Sequence, residues 1–182
     1  CLGTMLKCRA RGDRLFFVAV TDGSAGVLQQ PPLPREEAAA IRSSELSALA
    51  GRLGAETLCL GERDEFLYDT PELRLRLIEA IRQTGAELIF THFSDDYNLD
   101  HTTTHALVKH CALLASLPLL PGQWPPLKSH PAVFCVQPHG PIPFPATHFV
   151  DITALEAQKI ELLKSHSSQE QAMQLAVGAG FD

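Results

Sequence analysis

Residues 14–26 read RLFFVAVTDGSAG. The run from Leu15 to Val20 is apolar at every position, which predicts a strand buried on both faces rather than one with a wet side. TDGSAG follows at once, a turn-rich loop at that strand's C-terminal end. Working backwards, residues 1–11 read as a helix carrying Leu2, Met5 and Leu6 on one side, broken by Gly12 and Asp13. Working forwards, residues 27–33 are irregular and 35–53 form a helix. Pro34 suits its start, Glu36 and Glu37 suit its positive end, and Gly54 suits its stop.

The same alternation continues. Residues 56–60 (ETLCL) form a strand and GERDEFLYD a loop. Thr70 caps a helix that has Pro71 in its first position and ends before Gly85. Residues 86–91 (AELIFT) form a further strand, and 101–116 a helix. Five prolines in 117–131 exclude a regular helix there. Strands are predicted at 132–137 and 147–152, separated by a Pro-rich loop at 138–146. A helix follows over ALEAQKIELLKSH, with more helix from 167 to 176.

Strand alternating with helix implies parallel strands and right-handed crossovers, hence an α/β fold with a Rossmann-like, mostly parallel sheet. With 182 residues, one domain spanning 1–182 is the expectation. Residue 1 is Cys, and the opening helix and strand resemble the middle of a βαβ unit. The sequence is therefore expected to begin inside a longer protein.

Composition narrows the function classes. The net charge of −6, with no cluster of Lys and Arg, argues against nucleic acid. No apolar run approaches the roughly 20 residues of a membrane-spanning helix. Without a signal-peptide pattern, a cytoplasmic location is expected. Five cysteines without a CxxC motif read as free thiols, with Cys59, Cys111 and Cys135 buried in apolar runs. The absence of GxGxxG and GxxxxGK[ST] motifs removes the main support for dinucleotide or nucleotide binding, and there is no GxSxG elbow.

Open α/β sheets bind ligands at the carboxyl ends of their strands. TDG, ERD and THFSDDYNLDH all follow strands and are expected to line one rim. Within SDDYNLDHTTTH, Asp95, Asp96, Asp100, His101 and His105 offer carboxylate or imidazole groups. His101 suits a metal, with Asp100 orienting it; the plain alternative is an Asp N-cap followed by an incidental His. His105, four residues on, reads as helix structure, and His92 as a loop-lining residue. Arg42 and Glu45 read as a surface (i, i+3) ion pair worth a few tenths of a kcal/mol.

Taken in order, CLGTMLKCRARGD–FFVAVTDGSAG, RSSELSALAGRLGAETLCLGERD, THFSDDYNLDHTTTH and FPATHFVDITALEAQKIELLKSHSSQ resemble the LmbE-like/PIG-L deacetylases. These are zinc-dependent enzymes that remove acetyl groups from N-acetylglucosaminyl substrates. The resemblance implies a PIG-L/LmbE-like architecture and His101 as a metal ligand, joined by a His and an Asp of an H-P-D-D motif whose first Asp is the general base. It implies that Asp100 supports His101 or a proton relay, that Arg42 contacts the sugar, and that Asp22 and Asp64 line the pocket; Asp96, in the same loop as His101, is a further candidate for its lining. Zn²⁺ is the implied cofactor, and a His/Asp set suits Fe²⁺ equally.

Two departures stand out. H-P-D-D is absent from the sequence and is expected upstream of Cys1. Where the family often has a His three residues before the metal ligand, this chain has Asn98, which can donate a hydrogen bond but cannot act as acid or base. His139 in the QPHG loop is the candidate substitute among the substrate-binding groups, its plain reading being a surface His. The expected partner is a small N-acylated amino sugar or its conjugate, and a homo-oligomer is compatible with the sequence. The alternative is a degenerate relative that has lost the metal site and binds a sugar or a protein partner.

Overall fold

The structure is a computed structural model that describes residues 1–29, 31–120 and 122–170. The chain divides into two compact units: Cys1–Asp64 with the chain from Phe149 onward, and Glu65–His148.

The first unit holds α1 (Leu2–Arg11), β1 (Phe16–Thr21), α2 (Arg35–Leu53) and β2 (Glu56–Glu62), then α5 (Glu156–Leu163) after a short 3-10 turn at Thr153–Leu155. β1 and β2 pair in parallel from Phe16↔Glu56 to Thr21↔Glu62, with an irregularity between Ala19 and Thr21. α2 ends where its sequence says it should. Gly54 takes the left-handed conformation at φ 63°, and the Ala55 N–H then donates to the Ala50 carbonyl at 2.9 Å, closing the helix at little steric cost. Leu2 and Leu6 of α1, Leu49 and Leu53 of α2 and Leu162 of α5 form one apolar cluster, against which Phe17 of β1 packs.

The second unit holds α3 (Pro71–Thr84), β3 (Leu88–Thr91), α4 (Leu99–Leu114) and β4 (Ala132–Cys135). β3 and β4 pair in parallel, Leu88↔Ala132 to Thr91↔Cys135. α3 buries Leu73, Leu77, Ile78 and Ile81, and α4 buries Leu107, Val108, Cys111 and Ala112. The Pro-rich stretch is irregular and is held by two side chains of α3. Arg82, 4% exposed, donates to the carbonyls of Ala115 (3.1 Å), Leu117 (2.8 Å) and Leu120 (3.3 Å). Glu79 accepts from the backbone N–H groups of Gln123 and Trp124.

Thr70 caps α3 as predicted, its hydroxyl oxygen accepting from the Leu73 N–H at 3.2 Å. Thr70→Ala should cost about 1 kcal/mol, read as a lower urea midpoint at unchanged slope.

The parallel pairing and the α/β order agree with the sequence expectations; several details differ. Residues 147–152 form no strand: the segment is irregular and largely exposed, and among the described residues no strand pairs with it. β1 is not buried on both faces, since Val18 keeps 36% of its surface exposed; the apolar cluster of the helices takes Phe17, on the opposite side of the strand. Cys59 is likewise exposed, while Cys111 is buried and Cys135 intermediate. The helix predicted over ALEAQKIELLKSH breaks into the 3-10 turn and α5, and helix resumes at 167–170; positions 171–176 lie outside the described residues. No helix among the described residues is long and apolar enough to cross a membrane.

Candidate active site

In the first unit the loops after β1 and β2 meet. The Asp22 N–H donates to the Glu62 carbonyl at 2.9 Å. Asp64 accepts from the Thr21 hydroxyl (2.9 Å) and from the Ala25 N–H (3.1 Å). Asp22 accepts from the Ser24 N–H (3.0 Å) and from Arg35 Nε (2.7 Å). Burial alone would raise the Asp22 carboxyl, but Ser24 and Arg35 outweigh it and hold the group below the ordinary carboxylate range.

Arg42 lies over the TDG turn, its side chain 3.3 Å from where a Cβ on Gly23 would stand; Gly23 itself has φ 67°. No larger residue fits that approach without strain. The Arg42–Glu45 pair differs from the surface pair expected. Glu45 is 8% exposed and accepts from the Ser168 N–H (2.7 Å), the Ser168 hydroxyl (2.8 Å) and the Ser167 hydroxyl (3.2 Å). Arg42 Nη1 donates to Glu45 and also lies 3.3 Å from His166 Nδ1 and 3.4 Å from Ser168 Oγ. Gln169 donates to the Gly26 carbonyl at 2.8 Å. The SHSSQ segment is thereby tied to both α2 and the loop after β1.

In the second unit the decisive loop runs from His92 to Asn98, between β3 and α4. Asn98, not Asp100, is the N-cap of α4. Its Oδ1 accepts from the N–H groups of Asp100 (2.7 Å) and His101 (3.2 Å), and its Nδ2 donates to Glu65 Oε1 (3.0 Å). The buried carboxylate of Asp100 turns to the preceding loop, accepting from the N–H groups of Glu65 (2.7 Å) and Leu67 (3.1 Å). Glu65 sits at φ 64°, alone among the described non-glycine residues in being left-handed. Strained backbone of this kind persists when its surroundings over-determine it, and Asn98 and Asp100 supply that constraint.

Asp96 and His101 form the centre of the cluster. Asp96, its side chain 2% exposed, accepts from the Asn98 N–H at 3.1 Å and lies 3.0 Å from His101 Nδ1. Burial alone would raise the Asp96 carboxyl, but the Asn98 N–H and His101 outweigh it and hold it ionised, below the ordinary range. An ionised carboxylate only accepts, so the hydrogen between the two groups sits on His101 Nδ1, which in the neutral ring leaves the lone pair on Nε2. The His92 ring stacks on His101, centroids 4.0 Å apart and planes 10° from parallel; the Tyr97 ring meets His101 edge-on at 5.8 Å. Burial, followed by the neighbouring His101, pushes the His92 pKa down to about 4, so it is neutral at pH 7. His105 Nδ1 lies 2.9 Å from the His92 carbonyl and donates to it, holding the backbone beneath the stack.

Donor atoms of His92, Asp96 and His101 all lie within 4.8 Å of one another. Imidazole nitrogen and carboxylate oxygen are donor types that zinc and ferrous iron accept. His139 is exposed in the bend before Gly140 and is not part of this cluster. The sequence marked His92 only as a loop-lining residue. It lies nine positions before His101, no helical period links the two, and the fold of the loop brings the rings together.

Solved structures share this fold. GalB, the 4-carboxy-2-hydroxymuconate hydratase from Pseudomonas putida KT2440, superposes with TM-score 0.82 at 21% identity over 94% of this chain and 74% of its own. The N,N'-diacetylchitobiose deacetylase from Pyrococcus horikoshii gives TM-score 0.81 at 26% identity, over 94% of this chain and 66% of its own. The conserved protein TT1542 from Thermus thermophilus gives 0.78 at 27%, over 93% and 72%. No curated protein matches. The family profile described as "PIG-L: GlcNAc-PI de-N-acetylase" matches residues 1–112, from α1 through most of α4. That match takes in the loops after β1 and β2 as well as the His92–His101 loop, and the chain belongs to the PIG-L family of de-N-acetylases.

Proposed function

We propose that the protein is a metal-dependent N-deacetylase that hydrolyses the acetamide of an N-acetylated amino sugar, or of a conjugate of one, to acetate and the free amine. The observation that carries this reading is the Asp96–His101 pair, an imidazole held at Nδ1 by a carboxylate, with Nε2 unengaged among the described residues, in the loop that the family match spans. The deacetylase among the structural relatives favours amide hydrolysis.

A bound Zn²⁺ or Fe²⁺ would supply Lewis-acid polarisation of the amide carbonyl. His101 would hold the ion through Nε2, and Asp96 would keep the ring in the required tautomer. Asp100 has both carboxylate oxygens engaged by the backbone of Glu65 and Leu67, so its part is to fix the loop beside the ligand. Asn98 has its amide committed to the helix start and to Glu65, which leaves it a positioning role. Arg42 is proposed to contact the sugar, with Asp22, Asp64 and His139 as further polar groups toward substrate.

The test is acetate release from N-acetylglucosamine and its glycosides, with metal content measured on the same sample. Activity lost on chelation and restored by Zn²⁺ or Fe²⁺, with one ion per chain, is the expected result. Full activity in metal-free protein, or no acetate from any N-acetyl amino sugar, would sink the proposal.

A further inference from the structure

We infer that His92 is a positioning residue and not a metal ligand: its ring and the Asp96 carboxylate fix the plane and tautomer of His101, so that Nε2 of His101 alone faces the ion. The inference deepens the metal-site reading proposed above and rests on it; the ring geometry itself stands without it.

The stacking decides the matter. An imidazole lone pair lies in the plane of its ring, and a zinc–nitrogen bond is about 2.0–2.1 Å long. The two rings are 10° from parallel with centroids 4.0 Å apart, and stacked atoms rest about 3.5–4.0 Å from one another. An ion shared by both rings would stand about 2 Å out of each plane. That displacement consumes the whole bond length, so neither lone pair would point at the ion. Proximity of donor atoms is therefore not a three-ligand site here. Asp96 meanwhile engages the other nitrogen of His101 at 3.0 Å. The ring is thus held at its face by His92 and at its Nδ1 edge by Asp96, while His105 fixes the His92 backbone at 2.9 Å.

Two readouts test the inference on the full protein. Long-range ¹⁵N–¹H correlation in the metal-free wild type should show His101 protonated on Nδ1, and Asp96→Asn should shift it towards the Nε2–H form. An Nε2–H form in the wild type would overturn the inference. Zn²⁺ affinity, by competition with a chromogenic chelator, should stay within about threefold of wild type in His92→Phe, which keeps a flat ring. In His92→Ala it should fall about tenfold, as for other groups that orient a ligand. Equal loss in both variants would make His92 a ligand; no loss in either would make the stack irrelevant; both outcomes overturn the inference. If the wild type binds no Zn²⁺, the metal-dependent reading falls, while the tautomer measurement still decides the role of Asp96.

Discussion

Replacing His101 with alanine should lower kcat/KM at least a thousandfold, about 4 kcal/mol of transition-state stabilisation, and should remove stoichiometric zinc. The fold should survive. The His101 ring is 33% exposed, and the α4 cap acts on its backbone N–H, which alanine retains. A melting temperature within a few degrees of wild type, with metal and activity both gone, is the expected pattern. Zinc bound one-to-one at an unchanged rate in His101→Ala would remove the residue from the site.

The second large effect is on stability. Glu45→Ala should cost about 3 kcal/mol, because it leaves Arg42 without its counter-charge and frees the two serines and the backbone N–H that the carboxylate collects. The pH dependence follows from the same contacts. Burial alone would raise the Glu45 carboxyl, but the Ser168 backbone and hydroxyl and the Arg42 guanidinium outweigh it and set the folded value below 4.5. A group depressed on folding contributes its full stability above its unfolded value and loses it as pH falls through the folded one. The wild type should therefore weaken below about pH 4.5, and Glu45→Ala should be flatter there. Urea unfolding at pH 7 and pH 4 measures both; equal midpoints for the two proteins at pH 7 would dismiss the network as a stabiliser.

What the sequence made legible was local. Pro34 and Gly54 bracket α2, and Thr70, Pro71 and Gly85 bracket α3, because caps act through the first and last turn and need no tertiary context. The order of strands and helices followed from periodicity, and His101 from the resemblance of its loop. Long-range contacts were not legible. Ser167 and Ser168 lie more than 120 residues from Glu45, and nothing in RSSEL signals that they meet it. A strand was expected at 147–152, but a local stretch of sequence says nothing about whether a partner is available to pair with it. At the start of α4 the sequence offered Asp100 as the cap; in the structure Asn98 takes the cap, and Asp100 turns to the backbone of 65–67.

That exchange of roles has a dynamic consequence. One amide side chain begins the helix that carries His101 and also grips Glu65, and one carboxylate two residues later grips the N–H groups of Glu65 and Leu67. The 65–67 segment cannot swing away without loosening the first turn of α4. Amide protons of Glu65, Leu67, Asp100 and His101 should therefore exchange together, with a common opening free energy in native-state hydrogen exchange.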